Sequence, residues 1–492
     1  MSGSIAPAVR RRLPYAAMPR LPKRTAVLAW SAFFGLSAIH LGAGAASSQP
    51  LLVKSGFEWG DLGDWAASEP ARCDRLAVFG RELEPASEIH VATTGSDTTG
   101  DGSLGSPFAT LGRAAQVAAP GTAIRIHPGS YAGGVFLSDL AGTESAPIWI
   151  GGLPGAPRPV LEGGTEGLHL TRGRYLVIHD LEVRGATANG INADDGGATG
   201  DPLATHHLTF LGLHIHSIGG GGNQDCLKLS GVRDFAVALS EFASCGGSLA
   251  GSGIDQVGCH RGLIARNRFH DLSANAVQAK GGSSEVEIRW NRFVDSGARS
   301  LNLGGSTGFA FFRPPLSTSA PNAEARDLLV TANLFVGSDA AVAWVGCVGC
   351  VVAHNTIVDP QNWILRILQE TVTSPPYTFE TCRDGVFANN LVTFARGELS
   401  THLNIGPNTA PATFVFTSNL WYAWDEPAQS QPTLPSTESD GLYGLDPQLG
   451  PGYRIGVASP AAGSGAATPW GWGDLDGACF ATPPSRGAFE AR

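Results

Sequence analysis

The chain has 492 residues, of which 65 are Gly and 32 are Pro; 15% are charged and 43% hydrophobic. Globular proteins average about 7% Gly and about 25% charged residues, so this composition calls for many short strands joined by tight turns. The hydrophobic content excludes a linker, no Gly-X-Y period suggests collagen, and a net charge of −10 excludes a broadly basic nucleic-acid binder.

In chain order, residues 1–24 carry six cations and no acid, an apolar stretch runs from Thr25 to Leu41, and Ala43-Gly44-Ala45-Ala46 closes it. That order predicts a signal peptide over 1–45, and export to the cell surface or beyond; the alternative is an uncleaved anchor. Its removal takes the net charge from −10 to −16, because six cations and no acids are lost. Beyond it no apolar run reaches the ~18 residues of a membrane span. Residues 46–87 form an N-terminal extension. All eight Cys lie beyond the leader, an even number that permits disulfides in an exported chain.

Residues 106–119 predict a short helix with Phe108, Leu111, Ala115 and Val117 on its apolar side. From about residue 175 one phrase recurs: β-forming residues, then Asn, any residue, and an apolar one. It begins at Asn267, Asn291, Asn333, Asn355, Asn390 and Asn419, at intervals of 24, 42, 22, 35 and 29 residues. Leu181, Leu213 and Ser240 take the same place in earlier turns. Two intervals give a base period and the others are that period with insertions, which is the pattern of a solenoid. Stripes of 3.6-residue period are absent, so the coils are strands. Each coil then stacks about 4.8 Å from the next, turning equal positions into ladders. Gly and Asn are expected at left-handed corners, and the Asn are expected to bond along their ladder. Cys347 and Cys382 fall in consecutive coils, which allows a disulfide between them.

Residues 90–131 (HVATTGSDTTGDGSLGSPFATLGRAAQVAAPGTAIRIHPGSY) resemble the opening of secreted proteins of the pectate-lyase-like group. LDPQL (445–449), ASPAAGSG (458–465), DLDG (474–477) and RGAFE (486–490) are similar to their close. The resemblance implies an all-β fold, a right-handed parallel β-helix of about ten to twelve coils over residues 88–435. A capping helix would precede it and a loop-rich tail over residues 436–492 would follow.

Aligning coils on the anchor sends Ile191, Ala193, Leu227, Leu229, Ile254, Val277, Ala279, Leu301 and Leu303 inward. Asn192, Lys228, Asp255, Gln278 and Asn302 then face outward on one sheet. Asp194 and Lys280 come one step further on, and Asp195 and Asp225 sit at strand ends. The chain has four Lys against 29 Arg, and only Lys54, Lys228 and Lys280 lie past the leader. Two Lys in one polar ladder suit a base, since Arg cannot readily give up its proton; the alternative is a pair of solvated or ion-paired lysines. β-Elimination on a uronic-acid polymer needs a cation on the sugar carboxylate and a base for the adjacent proton. The predicted base is Lys280, with Lys228 second. Asp194, Asp195, Asp225 and Asp255 are the predicted Ca²⁺ ligands.

VQAKGGSSEVEIRWNRF (277–293) is similar to the lysine strand of chondroitinase B and alginate lyases. That resemblance implies a catalytic Arg one coil later, where Asn302 stands and Arg299 is nearest. NADDG (192–196) and QDCLKLSG (224–231) loosely resemble the Asp-bearing strands of polygalacturonases, which implies hydrolysis as an alternative. FAFFRPP (309–315), Trp344 and Trp363 could bind sugar rings or pack insertions onto the solenoid, and Arg313 or Arg366 could bind sugar carboxylates. Substrate contacts are expected at Asn192, Gln278, Asn302, Arg313 and Trp344. The sequence thus predicts a monomeric, exported polysaccharide lyase acting on an acidic glycan. A non-catalytic glycan-binding solenoid, a hydrolase and a C5-epimerase remain the alternatives.

Overall fold

The computed structural model describes residues 73, 75–246, 251–471 and 473–492. The predicted leader, Lys54 and most of the 46–87 extension lie outside these. Each full coil contributes one strand to each of three sheets of fourteen, ten and twelve strands. One coil reads Val232–Ala238, Glu241–Cys245 and Ser252–Val257. All strand pairings are parallel, as in Leu227↔Ile254↔Val277↔Leu301. The architecture is the right-handed parallel β-helix.

Apolar ladders fill the axis because alternate strand residues point inward and stack at the coil spacing. Phe242, Phe269, Phe293 and Phe335 stack nearly parallel, with centroids 5.0, 4.9 and 4.7 Å apart. The Asn ladder forms one corner. Asn291 Oδ1 accepts from the Asn267 amide and side chain at 2.9 and 3.0 Å. Asn333, Asn355, Asn390 and Asn419 repeat the pattern down the stack. Glu438 ends the ladder, accepting from the Asn419 amide and side chain.

The left-handed residue at this corner is not the Asn but the one before it. Arg266, Trp290, Ala332, His354, Asn389 and Ser418 all have φ between 53° and 58°. Non-glycine residues in that conformation cost roughly 1–2 kcal/mol each, and the buried amide bonds of the following Asn offset it. Glycine instead makes the corner after the ten-stranded sheet, with Gly231 at φ 69° and Gly258 at φ 61°.

The capping helix spans Leu111–Val117, with the Thr110 side chain accepting from the Arg113 amide. It is shorter than predicted, and it buries Leu111 and Ala114 while Val117 is 45% exposed. Residues 75–80 and the C-terminal tail close the outer face of the fourteen-stranded sheet. Leu76 and Val78 cluster there with Trp290, Leu475 and Phe489. The Trp290 Nε1–H donates to the Gly473 carbonyl at 2.9 Å, and Cys73 is bonded to Cys479. Cys226–Cys245 is a second disulfide. The expected Cys347–Cys382 bond is corrected: Cys347 pairs with Cys350 across the left-handed Gly349, leaving Cys382 a buried thiol.

Candidate active cleft

The ten-stranded sheet carries the predicted polar ladder. The register places Asn192, Lys228, Asp255, Gln278 and Asn302 in one row, and Asp194, Ser230, Val257 and Lys280 in the next. The strand Arg299–Gly304 is followed by an insertion that folds back across earlier coils. Its Arg313 makes a two-pronged ion pair with Asp195, at 2.6 Å from Nε and 2.9 Å from Nη2. Gly231 and Gly258 make room for it: an added Cβ would lie 2.3 Å from Asp195 Oδ2 and 2.4 Å from Arg313 Cβ, respectively. The buried Glu324 ties the insertion down by accepting from the Gly281 and Thr307 amides at 2.8 and 2.9 Å. Phe312 and Phe309 pack against Phe379, while Phe311 stays 61% exposed on the cleft wall.

The result is a cleft of about 700 Å³ lined by His169, Thr171, Asn192, Asp194, Lys228, Ser230, Lys280, Thr307 and Phe311, among others. A charged cluster forms its floor. Lys228 Nζ contacts Asp255 Oδ2 and lies 3.5 Å from Asp225, and Lys280 Nζ lies 3.5 Å from the same Asp255 oxygen. Burial and the Asp255 charge push the Asp225 pKa up to about 7, against the pull of Lys228 and the Ser252 amide. Burial by itself would lower the Lys228 pKa, but Asp255 and Asp225 outweigh it and raise it. The two carboxylates therefore favour the ammonium form of Lys228. Lys280 is the other lysine on the cleft wall.

Asp194 forms a second cluster. Its oxygens accept from Thr171 and Asn192, each at 2.7 Å, and from the Gly196 amide at 2.9 Å, while His169 Nε2 lies at 2.7 Å. Burial opposes ionisation, yet these hydrogen bonds hold its pKa below the ordinary carboxylate value. His169 Nδ1 faces Glu166 at 2.7 Å. His169 was not foreseen, although Leu168–Thr171 simply extends the outward register by one coil.

The remaining site residues fall elsewhere. Trp344 pairs with Leu303 and is wholly buried in the core, its Nε1–H donating to the Cys350 carbonyl at 3.2 Å; it cannot meet a ligand. Arg299 is committed to Asn302 and Glu370, at 2.8 and 3.0 Å, and does not line the cleft. Asn302 is buried, and Gln278 accepts from Asn275 at 3.2 Å; neither lines the cleft. Arg313 does line it, but its guanidinium is taken by Asp195.

The expected Ca²⁺ ligands do not fit a bound ion in this arrangement. Asp195 is filled by Arg313, Asp194 is saturated by protein donors, and the Lys228 ammonium stands between Asp225 and Asp255. A cation there would meet a positive charge already in place.

No family model matches the chain, and no curated protein matches it. Among solved structures, the pectate lyase Pel9A aligns with a TM-score of 0.54 at 14% identity, over 84% of this chain and 98% of that one. A structure described as a glycoside hydrolase aligns at TM-score 0.47 and 10% identity, over 74% of this chain and 98% of that one. An alginate lyase from Paenibacillus sp. aligns at TM-score 0.44 and 16% identity, over 66% and 96%. The likeness to Pel9A bears on the fold alone and agrees with the parallel β-helix.

Proposed function

We propose that the chain is an exported carbohydrate-active β-helix that cleaves an acidic polysaccharide by β-elimination in the cleft over the ten-stranded sheet. The observation that carries this reading is that Lys228 and Lys280, both on the cleft wall, converge on one oxygen of the buried Asp255. Three disulfides among the described residues suit an oxidising compartment.

In this reading a uronate carboxylate is drawn to the fixed ammonium of Lys228, which withdraws charge and acidifies the adjacent C–H. Lys280, as the base, takes that proton, the C–H electron pair forms the new double bond, and the C–O bond breaks with its electron pair on the glycosidic oxygen, which is protonated from water. Asn192, Ser230 and Thr307 offer hydrogen bonds to the sugar, and the exposed ring of Phe311 offers it an apolar face. No step needs a metal ion. Two-carboxylate hydrolysis is less well supported, because it needs two available acids flanking the bond. Of the cleft-lining Asp194 and Asp195, the second is bound to Arg313.

Incubation with pectate, alginate and glycosaminoglycans, followed by absorbance of the unsaturated uronate, tests the proposal. New absorbance with one polymer is expected. Binding of a polymer without any cleavage would replace elimination with the glycan-binding reading.

A further inference from the structure

The twelve-stranded sheet carries a second cluster, unconnected with the cleft and standing independently of the elimination reading. In the strand His214–Ile218, His214 and His216 are two residues apart and share the outer face. Their rings stack with centroids 4.3 Å apart. Glu182, one coil earlier, is paired in register with His214. One ligand atom from each of the three side chains lies within 4.8 Å of the others. Glu182 Oε1 is 3.3 Å from His216 Nε2 and also accepts from Arg184 at 3.0 Å.

Three properties separate this group from an ordinary polar surface. His214 makes no side-chain hydrogen bond among the described residues, and its ring offers a nitrogen to the cluster. All three side chains are half-buried, so they are partly desolvated without being sealed off. Both strands are fixed by parallel ladders on each side, which holds the donor set in register. From this geometry we infer that Glu182, His214 and His216 form a site for a divalent transition metal such as Zn²⁺.

Two imidazoles and one carboxylate are the donor set of an open zinc site, with the fourth position left to water. Nitrogen donors disfavour Ca²⁺ and Mg²⁺, which take oxygen. Ligands about 2.1 Å from a tetrahedral ion stand roughly 3.4 Å apart. Closing the present spacing therefore takes small side-chain rotations rather than backbone movement. Glu182 would turn away from Arg184, whose guanidinium keeps a partner in Glu162 at 3.3 Å. The ion would clamp two successive coils of the twelve-stranded sheet together.

The test is calorimetric titration of ZnCl₂ into chelator-dialysed, tag-free protein. One Zn²⁺ per chain is expected, retained in excess Ca²⁺ and accompanied by a concentration-dependent rise in melting temperature. His216→Ala and Glu182→Gln should each weaken binding by about tenfold or more. Lys280→Ala and Asp194→Asn, which alter the cleft, should leave it unchanged. No Zn²⁺ binding by the wild type, wild-type affinity in both site variants, or displacement by Ca²⁺ would overturn the assignment.

Discussion

The Asn corner and the cleft floor are both stacks of polar side chains on the same coil repeat, and they are built on opposite rules. At the corner one residue type recurs, and each side-chain oxygen accepts from the coil before it, so every member is satisfied by its neighbour. On the cleft floor successive positions read Asn192, Lys228 and Asp255, a neutral amide, a cation and an anion. There Asp255 Oδ1 is buried with no hydrogen-bond partner among the described residues. A uniform ladder closes upon itself and holds the fold. A mixed ladder leaves charge and hydrogen-bonding capacity over, which a ligand can use.

The largest stability effect is expected where the cleft wall is anchored. Arg313→Ala leaves the Asp195 carboxylate buried and unpaired, a loss of about 3–5 kcal/mol. Chemical denaturation would measure it, and limited proteolysis should show cleavage within residues 305–324. Asn333→Ala comes next: it deprives the Asn291 amide and the Ile288 and Thr331 carbonyls of buried partners. About 2–4 kcal/mol should be lost, with polymer cleavage per folded molecule unchanged. If Asn333→Ala abolished activity in folded protein, the division between corner and cleft would fail.

A smaller, pH-dependent effect separates the two regions. The folded-state pKa of Asp225 is raised from 3.8 to about 7, so the folded chain holds this proton more tightly than the unfolded chain. Its contribution to stability is full below about pH 4 and is lost as pH rises through about 7. Asp225→Asn should therefore gain stability relative to the wild type between pH 4 and 8, by denaturation at each pH. Asn333→Ala should show no such slope. The smallest expected effect is that of a Ca²⁺ chelator on the cleavage rate, which should be none. Loss of activity restored by Ca²⁺ would show that the lysine cluster rearranges to admit the ion.

The fold was legible because every coil meets the same corner, so Asn recurs and the inward parity of Leu227 or Val277 follows. The left-handed position beside it was not, since residues as unlike as Trp290, Ala332 and Ser418 occupy it. Alternation along strands also found the two adjacent rows that hold Asn192 and Lys280. It could not show that Arg313 reaches back to Asp195, 118 residues earlier, because an insertion obeys no repeat. Trp344 was misplaced because the coil alignment stopped at Asn302, and one coil further it takes the inward parity of Leu303. For the expected Ca²⁺ ligands, spacing brings the carboxylates together but does not reveal that Arg313 lies against Asp195 and Lys228 against Asp225 and Asp255.

The most direct measurement is the rate of unsaturated-uronate formation by Lys280→Ala, compared with the wild type on the polymer that the wild type cleaves. With the fold verified by unchanged denaturation, a fall of about 10²–10⁴-fold is predicted for loss of the base. A rate equal to wild type would contradict the assignment of Lys280 and, with it, the lysine cluster as the seat of the chemistry.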